Sequence, residues 1–93
     1  MTENAYNMLA GRIIKQQEMV VGSLAWVEAN KVSGISAKDH AVEIAGDGKK
    51  VLADLVAQYE KLFGQASIQV CRDALKPVAT QIAEGLLPDV LAV

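Results

Sequence analysis

The sequence is poor in the residue types that carry most protein chemistry. Its 93 residues include one cysteine, one histidine, one tryptophan and one phenylalanine. A single cysteine, Cys71, excludes a disulfide or a multi-thiolate metal site within one chain, and it favours a reducing cytoplasm as the setting. No group of His, Cys, Asp or Glu has the spacing of a metal site. The sequence therefore predicts no catalytic residue, no metal and no cofactor.

A strong charge of one sign and a long apolar run are also missing. Nine Lys and Arg stand against eleven Asp and Glu, and the longest basic run is the pair Lys49-Lys50. A basic face rich in aromatic residues, typical of nucleic-acid binders, is thus excluded. The longest apolar stretch, residues 19–27, is far shorter than the roughly 20 residues that span a bilayer, and the N-terminus lacks the apolar region of a signal peptide. We expect neither nucleic acid nor a membrane as a partner.

Small aliphatic side chains dominate what is present. Hydrophobic residues make up 52% of the chain, but aromatic residues only 4%, a composition that favours close helix packing. A chain this short buries only a little over about 60% of its unfolded surface, which is enough for one core. We expect a single domain over residues 1–93, mainly α with a short β-hairpin and resembling a helical bundle.

The first element is predicted to be a long N-terminal helix. It runs from about residue 2 to residue 30 without a proline, and Thr2 or Asn4 can cap its start. Gly11 and Gly22 interrupt it and indicate close contacts or bends. Apolar residues that return to one helical face carry this prediction: Tyr6, Leu9, Ile13, Val20, Leu24 and Val27.

A hairpin is predicted to follow this helix. Residues 41–45 alternate between apolar and polar side chains, as a half-buried strand does, and residues 32–35 form a weaker second strand. Residues 36–40 are then the polar connection. A two-stranded hairpin is marginal alone, so we expect it to pack on helices or to pair with a copy of itself.

Two further helices complete the prediction. The first begins at an Asp47 cap and ends at Gly64, and the second begins at a Ser67 cap. Pro77 falls inside the second and should kink or divide it, because proline lacks a backbone donor and crowds the preceding turn. The tail over residues 86–93 is too apolar for a frayed end, so we expect it to dock on a surface.

The length of the first helix argues for self-association. A helix of 27 residues is about 40 Å long, whereas a domain of this size has a radius of gyration of about 13 Å. Either a glycine folds the helix back, or its overhanging end packs on a second copy of the chain. We expect a homo-oligomer, most simply a dimer. The predicted interface residues are Gly11, Gly22, Trp26, Leu86, Leu87, Val90 and Leu91.

One local motif suggests an anion site. A predicted strand leads through Gly46, Asp47 and Gly48 to a helix whose first turn carries Lys49 and Lys50. Helix N-termini offer free N–H groups and partial positive charge to an anion. The spacing is not that of a phosphate-binding Walker loop, and the alternative is a capped turn with solvated lysines.

These features give three functional hypotheses. The first is a small non-enzymatic module that binds itself, with Trp26 as the residue that would contact another protein. The second is a sensor or carrier for an apolar ligand or an anion, held between the helices. The third is an enzyme, and it is the weakest, because one His, one Cys and no metal-ligand cluster leave too few polar groups for a cleft. A nucleophile and base pair of Cys71 and His40 is disfavoured because Cys71 lies on an apolar stripe.

Overall fold

The computed structural model describes residues 5–38, 41–83 and 85–91, and in these it contains four α-helices and one hairpin. The predicted fold class, mainly helical with a two-stranded antiparallel hairpin, is confirmed. The elements in chain order are α1 (Ala5–Val21), α2 (Leu24–Ala29), β1 (Ile35–Lys38), β2 (Ala41–Ile44), α3 (Gly48–Phe63), α4 (Ala66–Leu75) and two 3₁₀ helices, Lys76–Gln81 and Asp89–Leu91.

The N-terminal region forms two helices, so the prediction of one long helix was wrong. Gly22 has a φ of +72°, and its N–H donates to the Glu18 carbonyl at 2.8 Å, as in a glycine that ends a helix. Of the two glycines considered as bends, Gly22 breaks the helix and Gly11 continues it. The predicted overhang does not form, and the molecule measures 30 × 27 × 20 Å. The predicted caps, Thr2 and Asn4, lie outside the described residues.

The first strand lies later in the sequence than predicted. The prediction was residues 32–35, whereas β1 occupies Ile35–Lys38 and pairs with β2 so that Ile35 faces Ile44. Gly34 has a φ of +95°, and the turn around it places Ile35 at the start of the strand instead of its end. Three residues of the predicted connection are therefore strand residues, and the other two, Asp39 and His40, lie outside the described residues.

Side-chain amides hold the hairpin against the helices. Asn30 Oδ1 accepts from the Ala37 N–H at 2.8 Å, while Asn30 Nδ2 donates to the Ala37 carbonyl at 2.9 Å. This pairing satisfies the backbone N–H and carbonyl of Ala37, as a neighbouring strand would. On the other side, Asn7 of α1 accepts from the Ile44 N–H at 2.7 Å. The hairpin thus packs on α1 within one chain.

The boundaries of α3 follow the prediction, and those of α4 follow it in part. Asp47 caps α3 by accepting from the Lys50 N–H at 3.4 Å, and Gly64 ends it. Ser67 does not cap α4, because it lies inside the helix and donates to the Gly64 carbonyl at 2.7 Å. The α-helical part ends before Pro77 and continues as a 3₁₀ helix, so the predicted division is confirmed.

The core lies where α1, α3 and α4 meet, and the C-terminal tail closes it. Leu91 is fully buried, the Arg72 Nε donates to the Val90 carbonyl at 3.0 Å, and the Tyr6 hydroxyl donates to the Leu86 carbonyl at 2.8 Å. The tail therefore docks on its own chain. The largest fully buried side chains of the core in the described residues are Tyr59, Leu9, Ile13, Ile14, Leu52 and Leu55.

Two glycines in helices differ in the space that is available for the Cβ of an alanine substitution. A Cβ at Gly48 would overlap the Tyr6 ring, whereas a Cβ at Gly11 would lie 3.9 Å from Val42 Cγ2, an ordinary contact. We expect Gly48→Ala to lower the free energy of unfolding by about 1–3 kcal/mol, since the ring must move. Gly11→Ala is the matched control and should raise it by up to about 1 kcal/mol. Urea unfolding measures both, and equal effects would contradict this account.

Candidate functional site

The predicted anion-binding turn is the capped N-terminus of α3, and several of its side chains already make contacts within the chain. Asp47 accepts from a backbone N–H, and Gly48 is buried beneath the Tyr6 ring. Lys50 Nζ lies 2.9 Å from Asp54 Oδ2, and this hydrogen bond raises the pKa of Lys50. Lys49 is exposed. Binding of an anion by Gly46, Gly48, Lys49 and Lys50 stays a prediction.

Cys71 lies in the core. It is fully buried, and Gln17 Nε2 donates to its Sγ at 3.3 Å and to the Ser67 carbonyl at 3.0 Å. Burial raises the pKa of the Cys71 thiol to about 11, despite the hydrogen bond from Gln17. A buried, protonated thiol is a poor nucleophile. The proposed base, His40, lies outside the described residues.

The predicted interface residues of the first helix occupy three different environments. Gly11 lies in α1 beside Val42 of the hairpin. Gly22 is exposed at the break between α1 and α2, and Trp26 of α2 is half-buried and packs against the core. Only Gly22 is thus fully at the surface.

The predicted interface residues of the tail pack within the chain. Leu86, Leu87 and Val90 are half-buried against the core, and Leu91 is fully buried. A contact of these residues with a second copy of the chain stays a prediction. Leu91 has no exposed surface that could make such a contact.

Four exposed apolar side chains lie within five residues of Gly22 in the sequence. The exposed fractions are 81% for Met19, 64% for Val20, 47% for Leu24 and 52% for Val27. We call these four residues the elbow surface, because they flank the bend between α1 and α2. They are four of the five large hydrophobic side chains exposed in the described part of the chain; the fifth is Leu62 of α3.

Periodicity predicted that Val20, Leu24 and Val27 share a helical face with Leu9 and Ile13, and this prediction was wrong. The core-facing side of α1 continues through the buried Gln17 and the half-buried Val21 rather than through Val20. Because Gly22 breaks the helix, the periodicity of α1 does not predict which side chains of α2 face the core. The run of three apolar residues, 19–21, indicates this exposure in the sequence. A helix that buries only one side cannot bury three consecutive residues.

Two hydrogen bonds from α3, donated by Tyr59 and Gln58, hold α2 in place. The Tyr59 hydroxyl donates to the Ala25 carbonyl at 2.7 Å. Glu28 is buried and accepts from Lys31 Nζ at 3.0 Å and Gln58 Nε2 at 2.9 Å; these hydrogen bonds lower the pKa of Glu28. The short helix is thereby held on α3, with Leu24 and Val27 turned outward.

A groove of about 330 Å³ lies between α1 and β2. Gly11 opens it, because the helix there has no side chain to fill the space in front of Val42. The Arg12 Nε donates to the Ala74 carbonyl at 3.1 Å, which orients the guanidinium. No pattern in the sequence indicated this groove. It is lined by Asn7, Met8, Gly11, Arg12, Lys15, Ala41 and Val42.

The fold and these surfaces define a compact, mainly helical domain with a short hairpin, an exposed apolar elbow and a small groove. Among residues 5–38, 41–83 and 85–91, no three His, Cys, Asp or Glu side chains are grouped to hold a metal ion. No helix within the same ranges has the length and apolar character to cross a membrane. Comparison with protein-family models, curated proteins and solved structures gave no match.

Proposed function

We propose that the protein is a small interaction module that binds a second copy of itself through the elbow surface. The observation that carries the proposal is the exposure of Met19, Val20, Leu24 and Val27 within nine residues of chain. Contiguous exposed apolar patches on soluble domains are typical of interaction sites. These side chains are 47–81% exposed, and covering them with a partner is favourable because it removes apolar surface from water.

The charge of this segment favours a second copy as the partner. Residues 19–27 contain no charged side chain, so two such surfaces meet without like-charge repulsion. Glu28 at its boundary is buried and paired with Lys31. A two-fold axis through the elbow surface would place each apolar side chain against its counterpart or a neighbour.

The expected assembly differs from the one based on helix length. With α1 ending at Val21 and the tail docked on its own chain, the core needs no partner to be complete. We therefore expect a folded monomer in equilibrium with a dimer, rather than a chain that unfolds when diluted.

Sedimentation of the wild type and a charged variant tests the proposal. The wild type should shift from monomer to dimer as its concentration rises. Met19→Lys removes the most exposed apolar side chain and brings two positive charges together across the dimer, so we expect dimerisation to weaken at least about tenfold. The variant should remain folded, because Met19 is 81% exposed.

Thr80→Lys is the matched control, since it adds the same charge at an exposed position. Contacts from Gln17 to Ser67 and from Arg12 to Ala74 make α4 antiparallel to α1. Thr80 follows α4 and so lies toward the opposite end of α1 from the elbow. A wild type that stays monomeric at millimolar concentration, or equal weakening by both substitutions, would contradict the proposal.

A further inference from the structure

We infer that the groove between α1 and β2 binds a small organic anion, a carboxylate or phosphate group carried on a short apolar body. The inference is independent of self-association. The groove lies on the first three turns of α1, whereas the elbow surface begins at the last turn of that helix.

The polar lining of the groove favours negative charge. Arg12 and Lys15 both line it, and none of its described lining residues is acidic. The hydrogen bond to Ala74 uses one of the five N–H donors of Arg12 and fixes the orientation of the fork. A fixed guanidinium beside an ammonium is suited to carboxylate or phosphate oxygens.

Asn7 supplies a third donor. Its Oδ1 accepts from the Ile44 N–H at 2.7 Å, and this contact determines which end of the amide is oxygen. The Nδ2 end is then a donor on a side chain that lines the groove. Three side chains along one side of α1 thus offer hydrogen-bond donors to the groove. They suit a ligand group whose oxygens only accept hydrogen bonds.

The remaining lining is apolar and sets the size of the ligand. Met8, Ala41 and Val42 give the groove hydrocarbon surface, and Gly11 leaves its base open. A volume of about 330 Å³ lies at the lower end of the roughly 300–1,000 Å³ of small-molecule sites. The groove therefore suits a short organic acid better than a large cofactor.

Titration with sodium hexanoate, followed by amide NMR, tests the inference. We expect saturable shifts at Gly11, Arg12 and Val42 at millimolar hexanoate, and none with hexan-1-ol, which has the same chain without the charge. Hexyl phosphate should bind at the same residues. Acetate should bind more weakly than hexanoate, because it cannot cover the apolar lining.

Two substitutions separate a built site from general attraction of anions. Lys15→Glu reverses one charge in the groove and should raise the hexanoate Kd at least about tenfold. Lys61→Glu makes the same change at the end of α3, outside the groove, and should leave the Kd within about twofold. Lys15→Arg should retain binding.

Three results would overturn the inference. They are the absence of groove shifts at tens of millimolar hexanoate, equal binding of the alcohol and the acid, and equal effects of Lys15→Glu and Lys61→Glu. Sedimentation of Lys15→Glu should match that of the wild type, so failure of this site is distinguishable from failure of the proposed dimer.

Discussion

Replacing Tyr59 by alanine is expected to lower the free energy of unfolding by about 3–5 kcal/mol, as for other large aromatic residues in cores. Tyr59 is the largest fully buried side chain of the described residues. Its ring stacks on Phe63 with centroids 6.3 Å apart, and its hydroxyl donates to the Ala25 carbonyl. Small domains are stable by about 5–15 kcal/mol in total, so the variant should be near its unfolding threshold at 37 °C.

Tyr59→Phe isolates the hydroxyl from the ring. Removing it leaves the Ala25 carbonyl without its buried donor, which should cost about 1–3 kcal/mol. Tyr6→Phe is the control, because the Tyr6 hydroxyl also donates to a backbone carbonyl but from a half-buried position. Urea unfolding should give the smaller loss for Tyr6→Phe, about 0.5–1.5 kcal/mol.

Amide hydrogen exchange adds a local readout to these variants. The Tyr59 contact holds α2 on α3, so Tyr59→Phe should accelerate exchange of the amides of Leu24–Ala29 more than those of α4. Unchanged stability of both Tyr59 variants, or loss of protection spread evenly over all helices, would show that Tyr59 does not anchor α2.

Local sequence signals were sufficient to predict the boundaries of α3, but they did not predict which glycine separates α1 from α2. Asp47 begins α3 and Gly64 ends it. Both boundaries were predictable because a capping side chain and a helix-ending glycine interact with residues close to them in the sequence. Gly11 and Gly22 both interrupt an apolar helical pattern, yet one is helical and the other has a positive φ. After the break, α2 docks on α3 through the hydrogen bond from Tyr59 to Ala25, and this contact spans 34 residues, so no signal close to Gly22 indicates it.

The candidate surfaces were harder to predict because they depend on distant parts of the chain. The groove requires β2 to approach α1, which the Asn7–Ile44 hydrogen bond secures across 37 residues. Gln17 is buried because its hydrogen-bond partners, Ser67 and Cys71 of α4, lie 50 and 54 residues further along the chain. No local pattern marks such residues, since a polar side chain on a helix is ordinarily at the surface.

Cys71 makes the fold sensitive to alkaline pH. Burial raises the pKa of its thiol from an ordinary 9.0 to about 11, so between these values the folded chain retains a proton that the unfolded chain has lost. The stability due to this group is fully present below pH 9 and is lost as the pH rises through 11. We expect a loss of about 2 kcal/mol by pH 11 from Cys71 alone.

Urea unfolding between pH 7 and pH 11 measures this loss, with Cys71→Ala as the variant that cannot titrate. The stability difference between wild type and Cys71→Ala should shrink by about 2 kcal/mol between pH 8 and pH 11. Burial also raises the pKa of Tyr59, so both proteins should lose further stability above pH 10, and Tyr59→Phe should remove that part. A difference that stays constant with pH would mean that the folded core accepts the Cys71 thiolate, which the full burial of the sulfur argues against even though Gln17 donates to it.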